Sequence, residues 1–281
     1  MEVYISPLSP LNFTDKTDIY SGDMLRYYVQ QFIKNDEICI EIIGEKRLQI
    51  SYNIKSGNTY SHFTVDETYN VNDELTCYLI YVDTSSLSTN TLYSVEIIIS
   101  SETDGVRYFN SIGCFEVLDE CNYLKKIEYW NSSNINAFNS YFIDNSNITH
   151  KFTLRIPCGF KASSYNENAA IETFRNQNQE IKLLYAYPYT QKELIIGDSQ
   201  GVPYWIGKLI NYIFCLDNVY IDGERYVRSE DSTIDKEESM TSYPFNVYTM
   251  TVERYYNDIF KSYDMIEKGD YNNDFSNDFN I

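Results

Sequence analysis

The chain has 281 residues, 43% of them hydrophobic, which is enough to fill two ordinary domains or one large β domain with an appendage. Its 41 acidic residues against 22 basic ones give a formal charge of −19. That charge repels phosphate backbones and anionic membranes, so it speaks against specific nucleic-acid binding and membrane association, while an acidic wall past which DNA slides without sticking stays compatible with it.

The opening Met1-Glu-Val-Tyr-Ile-Ser-Pro7 has neither the basic stretch nor the apolar core of a secretory signal. No apolar run approaches the roughly 18 residues of a membrane span, so a soluble product made in a cytoplasm is expected. From Met24 to Leu118 the chain reads as strands separated by polar turns. Ile38, Ile40 and Ile42 alternate with Glu37, Cys39 and Glu41, and Tyr93, Val95, Ile97 and Ile99 alternate with Ser94, Glu96 and Ser100. Leu75 to Val82 is a denser apolar run, as in a strand covered on both faces, and Val106 to Leu118 continues the series after the Asp104-Gly105 turn. About seven short strands over roughly 110 residues predict a β-sandwich of immunoglobulin-like or fibronectin-like type in residues 1–120.

A boundary is placed at Asp119 to Tyr123, and a second β-rich domain is expected over 121–256. Asn131 to Asn147, rich in Asn and Ser, reads as a loop or an excursion between domains. Strands are predicted at 151–156, where Phe152, Leu154 and Ile156 alternate with polar residues, and at 181–187, 193–196 and 247–252. One amphipathic helix interrupts them at Pro203 to Phe214: Trp205, Leu209 and Ile213 recur every fourth position beside Ile206 and Ile210, and Pro203 suits the first turn. Asp222-Gly223, flanked by Val219 to Ile221 and Glu224 to Val227, predicts a tight type I′ hairpin turn. Residues 257–281 form an acidic, aromatic arm with too few aliphatic side chains for a core, expected to order on a partner. Tyr263, Tyr271, Phe275 and Phe279 are its candidate assembly contacts.

The usual carriers of chemistry are missing. Two histidines, His62 and His150, stand without neighbouring ligands, and no HExxH, GxSxG, Walker or GxGxxG pattern occurs. Asp270-Tyr-Asn272-Asn-Asp274 resembles the start of a calcium loop, but Phe275 replaces its glycine and no glutamate stands at its twelfth position. A pair of carboxylates at the spacing of a glycosidase is not visible in sequence. The 6 cysteines show no ligand spacing, and buried free thiols are the expectation. Trp205 is assigned to the helix stripe rather than to a sugar platform. No cofactor, no metal and no catalytic residue is predicted. The 28 tyrosines suit broad, half-wet protein contacts, although an AT-rich genome would raise Tyr, Asn and Ile alike.

Several segments resemble a family of virion proteins from phages and prophages of Bacteroides-type gut bacteria, including the crAss-like phages. They are Glu172-Thr-Phe-Arg-Asn-Gln177, Leu184-Tyr-Ala-Tyr-Pro-Tyr189, Ile196-Gly-Asp198, Gly201-Val-Pro-Tyr-Trp205 and Tyr220-Ile-Asp-Gly-Glu-Arg-Tyr-Val-Arg228. Ser6-Pro-Leu-Ser-Pro10 and Tyr28-Val-Gln-Gln-Phe32 fit the N-terminal sandwich of that family. The resemblance implies a structural, non-enzymatic tail, collar or ring subunit of the virion, partnered by other virion proteins and by copies of itself in a ring. Its motifs are turns and packing stretches, which carry architecture more than task. A tail-tip module that binds a host glycan, and a virion-borne carbohydrate hydrolase, are the competing expectations.

Overall fold

The computed structural model describes residues 2–15, 28–102, 104–161, 166–197, 201–230, 232–238 and 245–255. The first half contributes β1 (Val3–Ile5), β2 (Phe13–Thr14), β3 (Val29–Ile33), β4 (Glu37–Glu45), β5 (Gln49–Ser56), β6 (Thr59–Thr64), β7 (Glu67–Asn70), β8 (Leu75–Asp83), β9 (Leu92–Ser101), β10 (Gly105–Ser111) and β11 (Cys114–Leu118). The second half contributes β12 (Leu124–Trp130), β13 (Ile143–Asp144), β14 (Asn147–Ile148), β15 (Phe152–Phe160), β16 (Asn166–Arg175), β17 (Ile181–Ile196), β18 (Val202–Pro203), helix α1 (Tyr204–Ile213), β19 (Asn218–Ile221), β20 (Glu224–Arg228), β21 (Asp235–Glu238) and β22 (Phe245–Arg254). The fold is mainly β with one short helix.

In the first half, a four-stranded sheet in the order β1-β4-β8-β7 faces a seven-stranded sheet built on β2-β10-β9-β11-β3 with β5 and β6. Ile38, Ile40, Ile42, Tyr78 and Ile80 of the one interdigitate with Ile50, Tyr52, Val95, Ile97 and Ile99 of the other. The alternation in β4 and β9 produces this core, since every second side chain of each strand enters it. The other face of β4 departs from the expectation that alternation suggests. Cys39, Glu41 and Ile43 are also buried, because the second half packs onto that face. β4 and β8 therefore form the middle layer of the molecule.

The second half closes on itself. β17 pairs β15, β15 pairs β12, β12 pairs β19, β19 pairs β20, β20 pairs β22, and β22 returns to β17, all antiparallel. A ring of strands paired in this way leaves no edge along its circuit. Helix α1 lies against it, burying Ile206, Leu209, Ile210 and Ile213. Pro203 is the residue before the helix, with φ −65°, rather than part of its first turn. Gly207 is required there: a Cβ at this position would lie 2.3 Å from the Tyr248 ring. The Asp222-Gly223 turn has positive φ at both residues, 48° and 86°, and joins β19 to β20 as the dipeptide predicts.

The two halves are tied by more than the chain. Leu8, Cys39, Ile43, Cys77 and Leu79 belong to one apolar cluster with Ile127, Tyr129, Phe152 and Leu154. Arg155 reaches Asp36 through two hydrogen bonds of 2.6 and 2.9 Å, and Tyr129 donates its hydroxyl to the Leu8 carbonyl at 2.6 Å. Asp36 is buried, so this bidentate pair replaces the water the carboxylate loses.

Candidate assembly surface

β17 is one strand of 16 residues, where the sequence suggests two at 181–187 and 193–196, and only its second part belongs to the closed ring. Residues 181–191 pair instead with β16, a strand of 10 residues that the sequence pattern does not reveal. An Asn-rich turn at 176–180 joins them, held by Asn176 N–H to the Glu180 carbonyl at 3.0 Å and by the Asn176 side-chain oxygen accepting from Asn178 and Glu180. The resulting hairpin projects from the body: every residue of β16, and of β17 from Ile181 to Pro188, is exposed.

Its root is fixed. Gln191 donates to Ser229 Oγ at 2.5 Å, Ser229 donates to Glu253 at 2.6 Å, and the Lys192 ammonium lies over the Phe160 ring at 5.3 Å. Beyond that root the register sorts the side chains into two faces. Tyr185 and Tyr187, opposite Glu172 and Ala170, share one face, and their rings approach to 5.5 Å. Ile171 and Ala186 share the other, which Thr173, Leu183, Arg175 and Ile181 continue past a bulge at Glu172/Thr173. One face is thus aromatic and the other mainly aliphatic. Ile171 is 60% exposed and Tyr187 62% exposed, although both belong to residue types that prefer burial. A two-stranded hairpin alone in water is marginal, and an apolar surface on both faces makes it a candidate contact surface.

The hairpin carries little net charge. Residues 166–190 hold three acids, Glu167, Glu172 and Glu180, and two bases, Arg175 and Lys182. Its net charge is −1 in a molecule of charge −19.

The sequence-predicted contacts Tyr263, Tyr271, Phe275 and Phe279, and the Asp270 to Asp274 stretch, lie outside the described residues. Trp205 packs edge-on against Tyr28, with ring centroids 6.1 Å apart, as a partly buried member of the core around α1. His62 sits on the outer face of β6 and meets the Asn53 side chain at 2.8 Å. His150 is buried against Phe142 and Phe152, its Nδ1 2.9 Å from Thr149 Oγ1, and loss of hydration pushes its pKa down to about 3. Glu41 is buried in the middle layer, accepting from the Tyr141 N–H at 2.7 Å; burial pushes its carboxyl up to about 6 against that bond. All six thiols are free, and Cys39 and Cys77 are buried as expected. Cys114, Cys121 and Cys158 are only half-buried, and Cys215 is exposed, because it lies just past the end of α1. Among the described residues no group of three or more His, Cys, Asp and Glu could hold a metal ion, and no helix is long and apolar enough to cross a membrane.

No family model matches the chain, and no curated protein matches it.

Proposed function

We propose that the chain is a structural subunit of a bacteriophage virion, a tail, collar or ring component that assembles around the tail axis and catalyses no reaction. The observation that carries this reading is the β16–β17 hairpin, whose exposed aromatic and aliphatic faces call for burial by a neighbour. Two of the segments that resemble crAss-like virion proteins, Glu172 to Gln177 and Leu184 to Tyr189, fall on it. The rest of the molecule supplies a packed mount: a closed ring of strands fused by one core to a two-sheet sandwich. Partners on this reading are other virion proteins and further copies of the chain, and the acidic surface lets packaged DNA pass without adhering.

The test is to replace residues 166–190 by a short Gly-Ser link and follow the variant into particles. The expected result is a folded protein, with the circular dichroism of the intact body, that is missing from purified virions. Incorporation of the variant at the wild-type level would overturn the reading.

A further inference from the structure

The hairpin has two outer strand edges, and they are not equivalent. Lys161 N–H bonds the Glu193 carbonyl and Gly197 N–H bonds the Pro157 carbonyl, so from Tyr185 onward odd-numbered residues of β17 face β15 and β16 while even-numbered residues face β22 or the outer edge; the bulge at Glu172/Thr173 reverses this parity for 181–183. Pro188 is even, so the position where its N–H is missing points at the outer edge of β17 beyond the end of β22. A proline on that side blunts the edge against strand addition. On β16 the even residues bond β17, as Asn176 N–H to the Glu180 carbonyl shows, and the odd residues Glu167, Ala169, Ile171, Thr173 and Arg175 turn their backbone groups outward. No proline interrupts them, and no described strand pairs with them.

We propose that this β16 edge pairs antiparallel with the β16 edge of a second copy of the chain, with Ile171 of each copy opposite the other on a two-fold axis. Charge complementarity sets the register: Glu167 and Arg175 stand four residues either side of Ile171, so an antiparallel β16 edge is complementary to itself. Two copies of charge −19 repel, and the hairpin, with three acids and two bases, adds little to that repulsion. With Ile171 on the axis, Glu167 of each chain stands opposite Arg175 of the other, Ala169 opposite Thr173, and Glu172 opposite Ala170. All outward backbone groups then find partners. Moving the axis to Glu172 sets two carboxylates face to face, and moving it to Ala170 leaves Arg175 opposite residue 165, outside β16. Glu167 now accepts from Thr190 Oγ1 at 2.9 Å and Arg175 donates to the Gln179 carbonyl at 3.3 Å, contacts that leave each group further capacity. The joined hairpins form a four-stranded sheet, past the three strands at which a sheet with an apolar face becomes stable. Only the edge, its register and its charges are used, so the pairing stands apart from the virion reading; pairs can themselves repeat around an axis in dihedral symmetry.

Sedimentation equilibrium on the full chain and its charge variants tests it. The wild type should form a dimer at about 0.1 mM or below. Glu167→Arg and Arg175→Glu should each raise the dimer dissociation constant roughly tenfold, because each sets like charges opposite one another twice. An equimolar mixture of the two single variants should recover wild-type affinity, since every mixed pair is again complementary. In hydrogen exchange, the amides of Ala169, Ile171 and Thr173 should gain protection with protein concentration while those of Ala170 and Glu172 do not change. A chain that stays monomeric throughout, or a dimer indifferent to both substitutions and to their mixing, would overturn the proposal.

Discussion

At the scale of single residues, His150 and Glu41 oppose one another in their response to acid. The pKa of His150 is about 3 in the folded chain, below its free value of 6.5, so its stabilising contribution is complete above about 6.5 and is lost as the pH falls toward 3. Glu41 is raised from 4.5 to about 6, so its contribution is complete below about 4.5 and is lost as the pH rises through 6. Between 4.5 and 6 the unfolded chain holds a proton on the histidine and the folded chain holds one on the glutamate, and the two slopes cancel. In His150→Leu, where leucine meets the rings of Phe142 and Phe152, that cancellation disappears. Going from pH 6.5 to 4.5, the wild type should lose about 2 to 3 kcal/mol relative to this variant, measured from urea midpoints at each pH. Gly223 shows a different kind of single-residue control. Nothing lies within 4 Å of a Cβ placed there, yet its φ of +86° resists side chains. Gly223→Val should therefore lower stability by roughly 1 to 3 kcal/mol from backbone strain alone. An unchanged melting temperature would contradict the turn.

At the scale of elements, α1 sets propensity against packing. Alanine in place of Gly207 favours an isolated helix by about 1 kcal/mol. Here its Cβ would enter the space of the buried Tyr248 ring, a clash that costs typically 1 to 3 kcal/mol in a packed core. Gly207→Ala should thus destabilise the protein on balance, and paired thermal melts of the two proteins read the sign. The helix and the Asp222-Gly223 turn were legible in the sequence because each is a local signal, a four-residue stripe in one case and a dipeptide in the other. β16 was not legible, because its side chains serve no core and carry no alternation toward one. Nor was the closed ring, whose last pairing joins Gln191 to Glu253 across 62 positions. The buried face of Cys39 and Glu41 was hidden for a related reason: alternation reports that a strand has two faces, not what each face meets.

For the whole molecule, the middle layer decides how the halves unfold. β4 and β8 give Ile38, Ile40 and Ile80 to one core and Cys39, Ile43 and Leu79 to the other, so neither half can lose its core without exposing a sheet of the next. A single calorimetric transition is expected, with van't Hoff and calorimetric enthalpies equal, in place of two separable melts. Pro188 has its own consequence at this scale. A hairpin with two usable edges would be a bifunctional monomer, and association through it would run on as a chain reaction into fibres. With the β17 edge interrupted at Pro188, the longer β16 edge is the one left for pairing, and each association event tends to be a termination. Pro188→Thr should restore the second valence, giving a concentration-dependent rise in thioflavin fluorescence and light scattering that the wild type lacks.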